Sequence, residues 1–164
     1  MSETPRLLRA VVAEPPNNNN IKVAVRVRPP NQRELAGGGN EIIISTDNSS
    51  VSVEMAKHPI SFEFDHAFGH SVNNADLFEH LGVPIVQNAF HGFNVTLFAY
   101  GQTSSGKSYS MVGRIPHGAS AASKDVDPGV GIIPRVASLL FATVDSMPET
   151  HEFLVEVSFL EICE

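Results

Sequence analysis

The junction where Asn94-Val95-Thr96-Leu97-Phe98-Ala99-Tyr100 runs straight into Gly101-Gln102-Thr103-Ser104-Ser105-Gly106-Lys107-Ser108 constrains this chain more than any other feature. The first half is almost wholly apolar and rich in strand formers, the composition of a parallel strand covered on both faces. The second half has two glycines with four residues between them, then Lys and Ser, which is the pattern of a phosphate-binding loop. Each position has a physical reason. Gly101 and Gly106 let successive backbone amides turn toward a polyphosphate, and a helix beginning near Gly106 adds its positive end. Lys107 reaches the β and γ phosphates, and the Ser108 hydroxyl ligates magnesium, whose shell is completed by water and phosphate oxygens. A simple Gly/Ser turn would carry the glycines but would not require a buried strand before them and a helix after.

The remaining pattern supports a layered α/β fold. Ile21 to Arg28 alternates, with odd positions apolar and Lys22, Arg26 and Arg28 on the opposite face, and Pro29-Pro30 closes it as a strand. Gly37 to Gly39 mark a loop, and Glu41–Thr46 and Val51–Met55 flank Asp47-Asn48-Ser49-Ser50 as a hairpin, with a further strand at Ile60–Phe64. Asn73 or Asn74 caps a helix whose apolar positions Leu77, Leu81, Ile85 and Ala89 recur every fourth residue, with Phe78 and Phe90 beside them. Pro84 should kink or divide it, and Gly92 ends it. Pro134 suits the first turn of another helix through about Ser146, and Glu152–Ile162 alternates as a last strand.

Composition removes several classes. The chain has 164 residues and a single cysteine, Cys163, so no internal disulfide or Cys-based zinc set exists, and such usage suits a reducing cytosol. Its net charge of −7 gives no general attraction to nucleic acid or anionic lipid. No apolar run approaches the ~20 residues that span a membrane. Residues 1–20, ending in Pro15-Pro16 and four asparagines, read as a flexible extension. His66 and His70 lack further ligands, and Glu156 and Glu161 lack a paired acid, so neither pair suggests a metal or acid-base centre.

Around the loop, further segments carry a specific likeness. Gly92-Phe93-Asn94-Val95-Thr96-Leu97-Phe98-Ala99-Tyr100 leading into Gly101–Ser108 resembles the kinesin motor domain, as do Val25-Arg26-Val27-Arg28-Pro29, Phe62-Glu63-Phe64-Asp65-His66-Ala67-Phe68, Gly131-Ile132-Ile133-Pro134-Arg135 and Val157-Ser158-Phe159-Leu160-Glu161-Ile162, in that family's order. The likeness covers Ile21 to Glu164. It implies a three-layer α/β/α fold with a central, mainly parallel sheet, present here incompletely as the N-terminal half of a motor domain over 21–164. It also implies that Gly101, Gln102, Thr103, Ser104, Ser105, Gly106, Lys107 and Ser108 hold ATP, with Ser108 on magnesium, and that Arg26, Arg28, Pro29 and Tyr109 border the adenine.

Microtubules follow as the expected partner and the cytoskeleton as the expected location, with no role for nucleic acid or membrane. The family's two switch motifs, Ser-Ser-Arg-Ser-His and Asp-Leu-Ala-Gly, do not occur in these residues, so no catalytic residue is assigned. This chain alone is expected to hydrolyse ATP negligibly. The alternatives are a non-catalytic module that binds nucleotide or joins another kinesin chain, or an incomplete gene product. The likeness also implies that strands from elsewhere in a motor domain lie between the strand ending at Arg28 and the one ending at Tyr100, so that Val95–Tyr100 would lack backbone partners here.

Overall fold

The computed structural model describes residues 21–36, 44–54, 58–114 and 127–162. The extension over 1–20, the loop at Gly37–Gly39 and the small residues Ala119–Ser123 lie outside them. Strand β1 (Ala24–Arg26) is followed by a short helix α1 (Gln32–Ala36) and then by β2 (Ile44–Thr46), β3 (Ser50–Glu54), β4 (Pro59–Glu63) and β5 (His66–Phe68). Helices α2 (Asn74–Leu77) and α3 (Val83–Phe90) are joined by a π-helical turn, Phe78–Gly82. They are followed by α4 (Lys107–Met111) and α5 (Ile132–Asp145). The protein is α/β as expected, with its parallel sheet reduced to one pair of strands.

That pair is β1 and β5, in register Ala24↔His66, Val25↔Ala67 and Arg26↔Phe68. The strand expected over Ile21–Arg28 is thus three residues long, and Ile21 and Val23 are 80% and 51% exposed. An antiparallel sheet in the order β2-β3-β4 contains the expected hairpin. Its turn is made by Asp47, whose carboxylate accepts from the backbone amides of Ser49 and Ser50 at 2.8 and 2.7 Å. Those bonds hold the Asp47 pKa below its ordinary value. Strand β4 is exposed along its length, Phe62 included.

Asn73, rather than Asn74, caps α2: its side chain accepts from the Ala75 and Asp76 amides while Asp76 accepts from the Asn73 amide, a reciprocal capping box. Pro84 has no N–H to offer the carbonyl four residues back, and the ladder before it widens, with the Val83 amide bonding Phe78 O. The extra residue in that turn rotates the buried stripe. The expected face Leu77, Leu81, Ile85, Ala89 becomes Leu77, Phe78, Val83 and Val86, with Ala89 exposed.

Two core clusters form against α5. Phe78, Val83, Val86 and Leu139 make one, with Phe90 and Val136 packed beside it. Phe68, Leu77 and Ile132 make the other, with Val72, Leu81, Leu97 and Val136 around it. Each such side chain, fully buried, contributes roughly 1.5–3 kcal/mol.

The two remaining expected strands are not strands. Residues 93–100 and 151–162 belong to no helix and to no sheet among the described residues. Phe98 is 79% exposed and Tyr100 95%. The reason is a missing neighbour rather than a poor sequence: a strand buries its side chains only when other strands satisfy its amides and carbonyls.

Candidate nucleotide site

The glycine-rich segment follows Tyr100 and turns into α4. Gly106, immediately before that helix, has φ +103°, a conformation that a side chain would strain. Ser104 at the loop tip has φ +67° and is the only non-glycine residue at positive φ among the described residues. The Lys107 ammonium folds across the loop and donates to the carbonyls of Gly101 at 2.7 Å and Gln102 at 2.8 Å. Ser108 begins the helix beside it, exposed, and its hydroxyl makes no hydrogen bond among the described residues. Since α4 is only five residues long, the loop amides and Lys107 supply most of the anion-binding character and the helix dipole little.

A cavity of about 290 Å³ lies beside the loop. Its lining includes Arg26, Arg28 and Pro29, the loop residues Ser105, Gly106 and Lys107, Tyr109, and Leu97–Tyr100, and it reaches the core at Phe68, Leu77 and Ile132. The structure therefore gathers the residues expected to border a base with the second half of the loop. Gly101, Gln102, Thr103, Ser104 and Ser108 lie outside that lining.

The two arginines are already engaged. Arg28 donates from Nε to the Ser104 carbonyl at 2.9 Å, bracing the strained tip, and its guanidinium forks onto Glu34. Glu34 also accepts from the Asn31 amide while its own amide donates to Asn31 Oδ1, closing a capping box at the start of α1. The hydrogen bond from Arg28 is the chief cause that lowers the Glu34 pKa to about 2. Arg26 is turned inward, donating to Asn74 Oδ1, Ser110 Oγ and the Val72 carbonyl, with its guanidinium carbon 5.3 Å from the centre of the Tyr109 ring. Burial lowers its pKa, and Tyr109 opposes that shift.

Glu34 and Asn74 are functional neighbours that the sequence reading missed. The spacing Asn31-x-x-Glu34 is a capping-box signature that could have found α1, a helix the sequence reading did not expect. Nothing in sequence marks Asn74.

The far end of α4 is fixed by a bridge between Gly113 and Val130. Gly113 has φ +72°, and a Cβ there would lie 2.2 Å from the Gly129 carbonyl oxygen, so only glycine fits. The His66 and His80 rings meet edge to face at 5.7 Å, but no group of three metal-ligating side chains occurs among the described residues.

An α/β core leading into this loop defines a phosphate-loop fold. Comparison narrows the class. The kinesin motor domain profile matches residues 26–164. Kinesin-related protein 3 of Dictyostelium discoideum is 36% identical over 146 residues, 88% of this chain and 12% of that protein. Kinesin-like protein unc-104 of Caenorhabditis elegans is 38% identical over 158 residues, 89% of this chain and 9% of that protein. The solved structure of a fast kinesin superposes with a TM-score of 0.66 at 36% identity, over 79% of this chain and 34% of the other. This chain belongs to the kinesin motor-domain family. It spans about a third of the solved chain and roughly a tenth of those two relatives.

Proposed function

We propose that residues 21–164 are the nucleotide-holding part of a kinesin-type, microtubule-dependent ATPase, and that they bind Mg-ATP through Gly101–Ser108. The observation that carries this reading is the loop itself: Gly106 at φ +103° and a Lys107 ammonium bonded to two loop carbonyls, both residues lining a cavity of about 290 Å³. An incoming polyphosphate would exchange those carbonyls for charged oxygens, which an ammonium binds more strongly. Ser108 would hold the magnesium, whose role is to neutralise phosphate charge. Arg28, Pro29 and Tyr109 would flank the base, and Arg28 would keep the loop tip in its strained form.

The residues hold and orient nucleotide, and none is assigned to activate the attacking water, so turnover by this chain alone is expected to be negligible. A titration with a fluorescent ATP analogue tests the proposal. Saturable, magnesium-dependent binding that Lys107→Ala abolishes is expected; binding by the variant equal to that of the unaltered chain, or none by either, overturns it.

A second reading is favoured by residues 93–100 and 151–162, which pair with no strand among the described residues and leave Phe98, Tyr100, Val157 and Phe159 exposed. On that reading the chain joins another kinesin chain by adding strands to it. Co-purification with a full-length kinesin, lost on Phe98→Ser and Val157→Ser, is the expected result.

A further inference from the structure

Asn73 and Asn74 are adjacent and do opposite things. Asn73 caps the helix at the surface, whereas Asn74 is completely buried, and a buried amide must find partners at once. It finds three. Its Oδ1 accepts from the Arg26 guanidinium, and its Nδ2 donates to the Tyr109 carbonyl at 2.9 Å and the Gly129 carbonyl at 3.1 Å. One side chain thus ties α2 to β1, to α4 and to the turn that precedes α5. Arg26 completes the ring by donating to Ser110 Oγ, next to Tyr109, and by lying under the Tyr109 ring. Tyr109 is consequently held at its backbone by Asn74 and at its ring by Arg26, while the residue, 43% exposed, lines the cavity.

We infer that Asn74 and Arg26 are a positioning pair that fixes Tyr109 as one wall of the base pocket, and that Arg26 acts through Tyr109 rather than by bonding the base. Three of the five guanidinium N–H groups are spent on Asn74, Ser110 and Val72, which fixes the half-buried fork away from the base. Freed to move, Tyr109 would still leave the loop's own contacts intact, because Lys107 is held by the Gly101 and Gln102 carbonyls and neither Asn74 nor Arg26 bonds to it. The pair therefore governs the base contribution to affinity and leaves the polyphosphate contribution alone.

Two measurements test this on the whole chain. The chain has two tyrosines and no tryptophan, so in a Tyr100→Phe background Tyr109 is the sole strong ultraviolet emitter. Acrylamide quenching then reads its ring directly. Asn74→Ala and Arg26→Lys are each expected to raise the quenching constant about twofold with unchanged far-ultraviolet circular dichroism. In the same background they should reduce the preference for Mg-ATP over Mg-tripolyphosphate about tenfold, the scale of one lost aromatic–base contact. Unchanged quenching overturns the inference, as does an equal loss of ATP and tripolyphosphate affinity, which would mark general loosening. The affinity arm rests on the proposed nucleotide site and the quenching arm does not. Failure of the unaltered chain to bind either ligand would therefore remove that site while quenching still decides the pair. If Asn74→Ala does not fold, Arg26→Lys, which keeps the charge and drops the fork, decides alone.

Discussion

The helical wedge of Asn74–Phe90 against Ile132–Asp145 and the runs 93–100 and 151–162 are similarly apolar, yet the fully buried side chains all belong to the first. Val86 is 1% exposed and Leu77 3%, whereas Val157 and Phe159 are both 91% exposed. The difference lies in the backbone. A helix satisfies its amides and carbonyls internally and needs only one apolar stripe covered, so two helices and β5 suffice. A strand needs neighbours on both edges before its side chains can leave water. Apolar sequence thus specifies burial only where the hydrogen-bonding partners come with it.

The contrast breaks most readily under hydrogen exchange. Amides in the latter part of Val83–Phe90 and of Ile132–Asp145 should exchange at least ~100-fold more slowly than those of 95–100 and 153–162. Comparable rates in the two regions would show that these runs find partners in solution. Substitution gives the next largest effect. Val86→Ala should lower unfolding stability by about 2 kcal/mol, read by urea denaturation, whereas Phe98→Ser should change it by less than ~0.5 kcal/mol and reduce binding of a hydrophobic dye. A large loss from Phe98→Ser would place that ring in a core.

Acidification offers finer tests. His66 is held below its ordinary pKa mainly by burial, with His80 and Lys22 adding and Asp65 opposing. The unfolded chain therefore binds the proton more readily, so His66 favours folding above its ordinary pKa and that contribution falls as pH drops through and below it. His66→Phe should flatten the stability profile there. The smallest effect belongs to Glu34. Its pKa is lowered from 4.5 to about 2, so its link to Arg28 is fully present above 4.5 and is lost as pH falls toward 2. Both groups are exposed, and salt should weaken the link further. Comparing Glu34→Gln with the unaltered chain across that range checks the direction.

Local chemistry was readable from the sequence. The phosphate loop, the hairpin at Asp47, the cap at Asn73, the break before Pro84 and the helix after Gly131 all follow from residue types whose backbone preferences act within a few positions. What failed was what depends on distant partners. The strand character of Val95–Tyr100 is plain in its residues, but pairing depends on chain that is not beside it. The stripe of α3 slipped because the π turn adds a residue that no periodicity announces. Arg26 and Arg28 could be assigned to one strand face, but their bonds to Asn74, Ser110, Ser104 and Glu34 required the positions of residues up to 84 apart in sequence.

The bridge between Gly113 and Val130 works as a buckle. Arg114 N–H reaches Gly129 O and Gly131 N–H reaches Val112 O, each at 2.9 Å, so the end of α4 and the start of α5 are clasped whatever runs between them. Doubling the length of such an intervening segment costs only about 0.6 kcal/mol in closure entropy. Lengthening the stretch between Arg114 and Asp127, for instance with a spliced reporter peptide, should therefore leave the glycine-rich loop undisturbed.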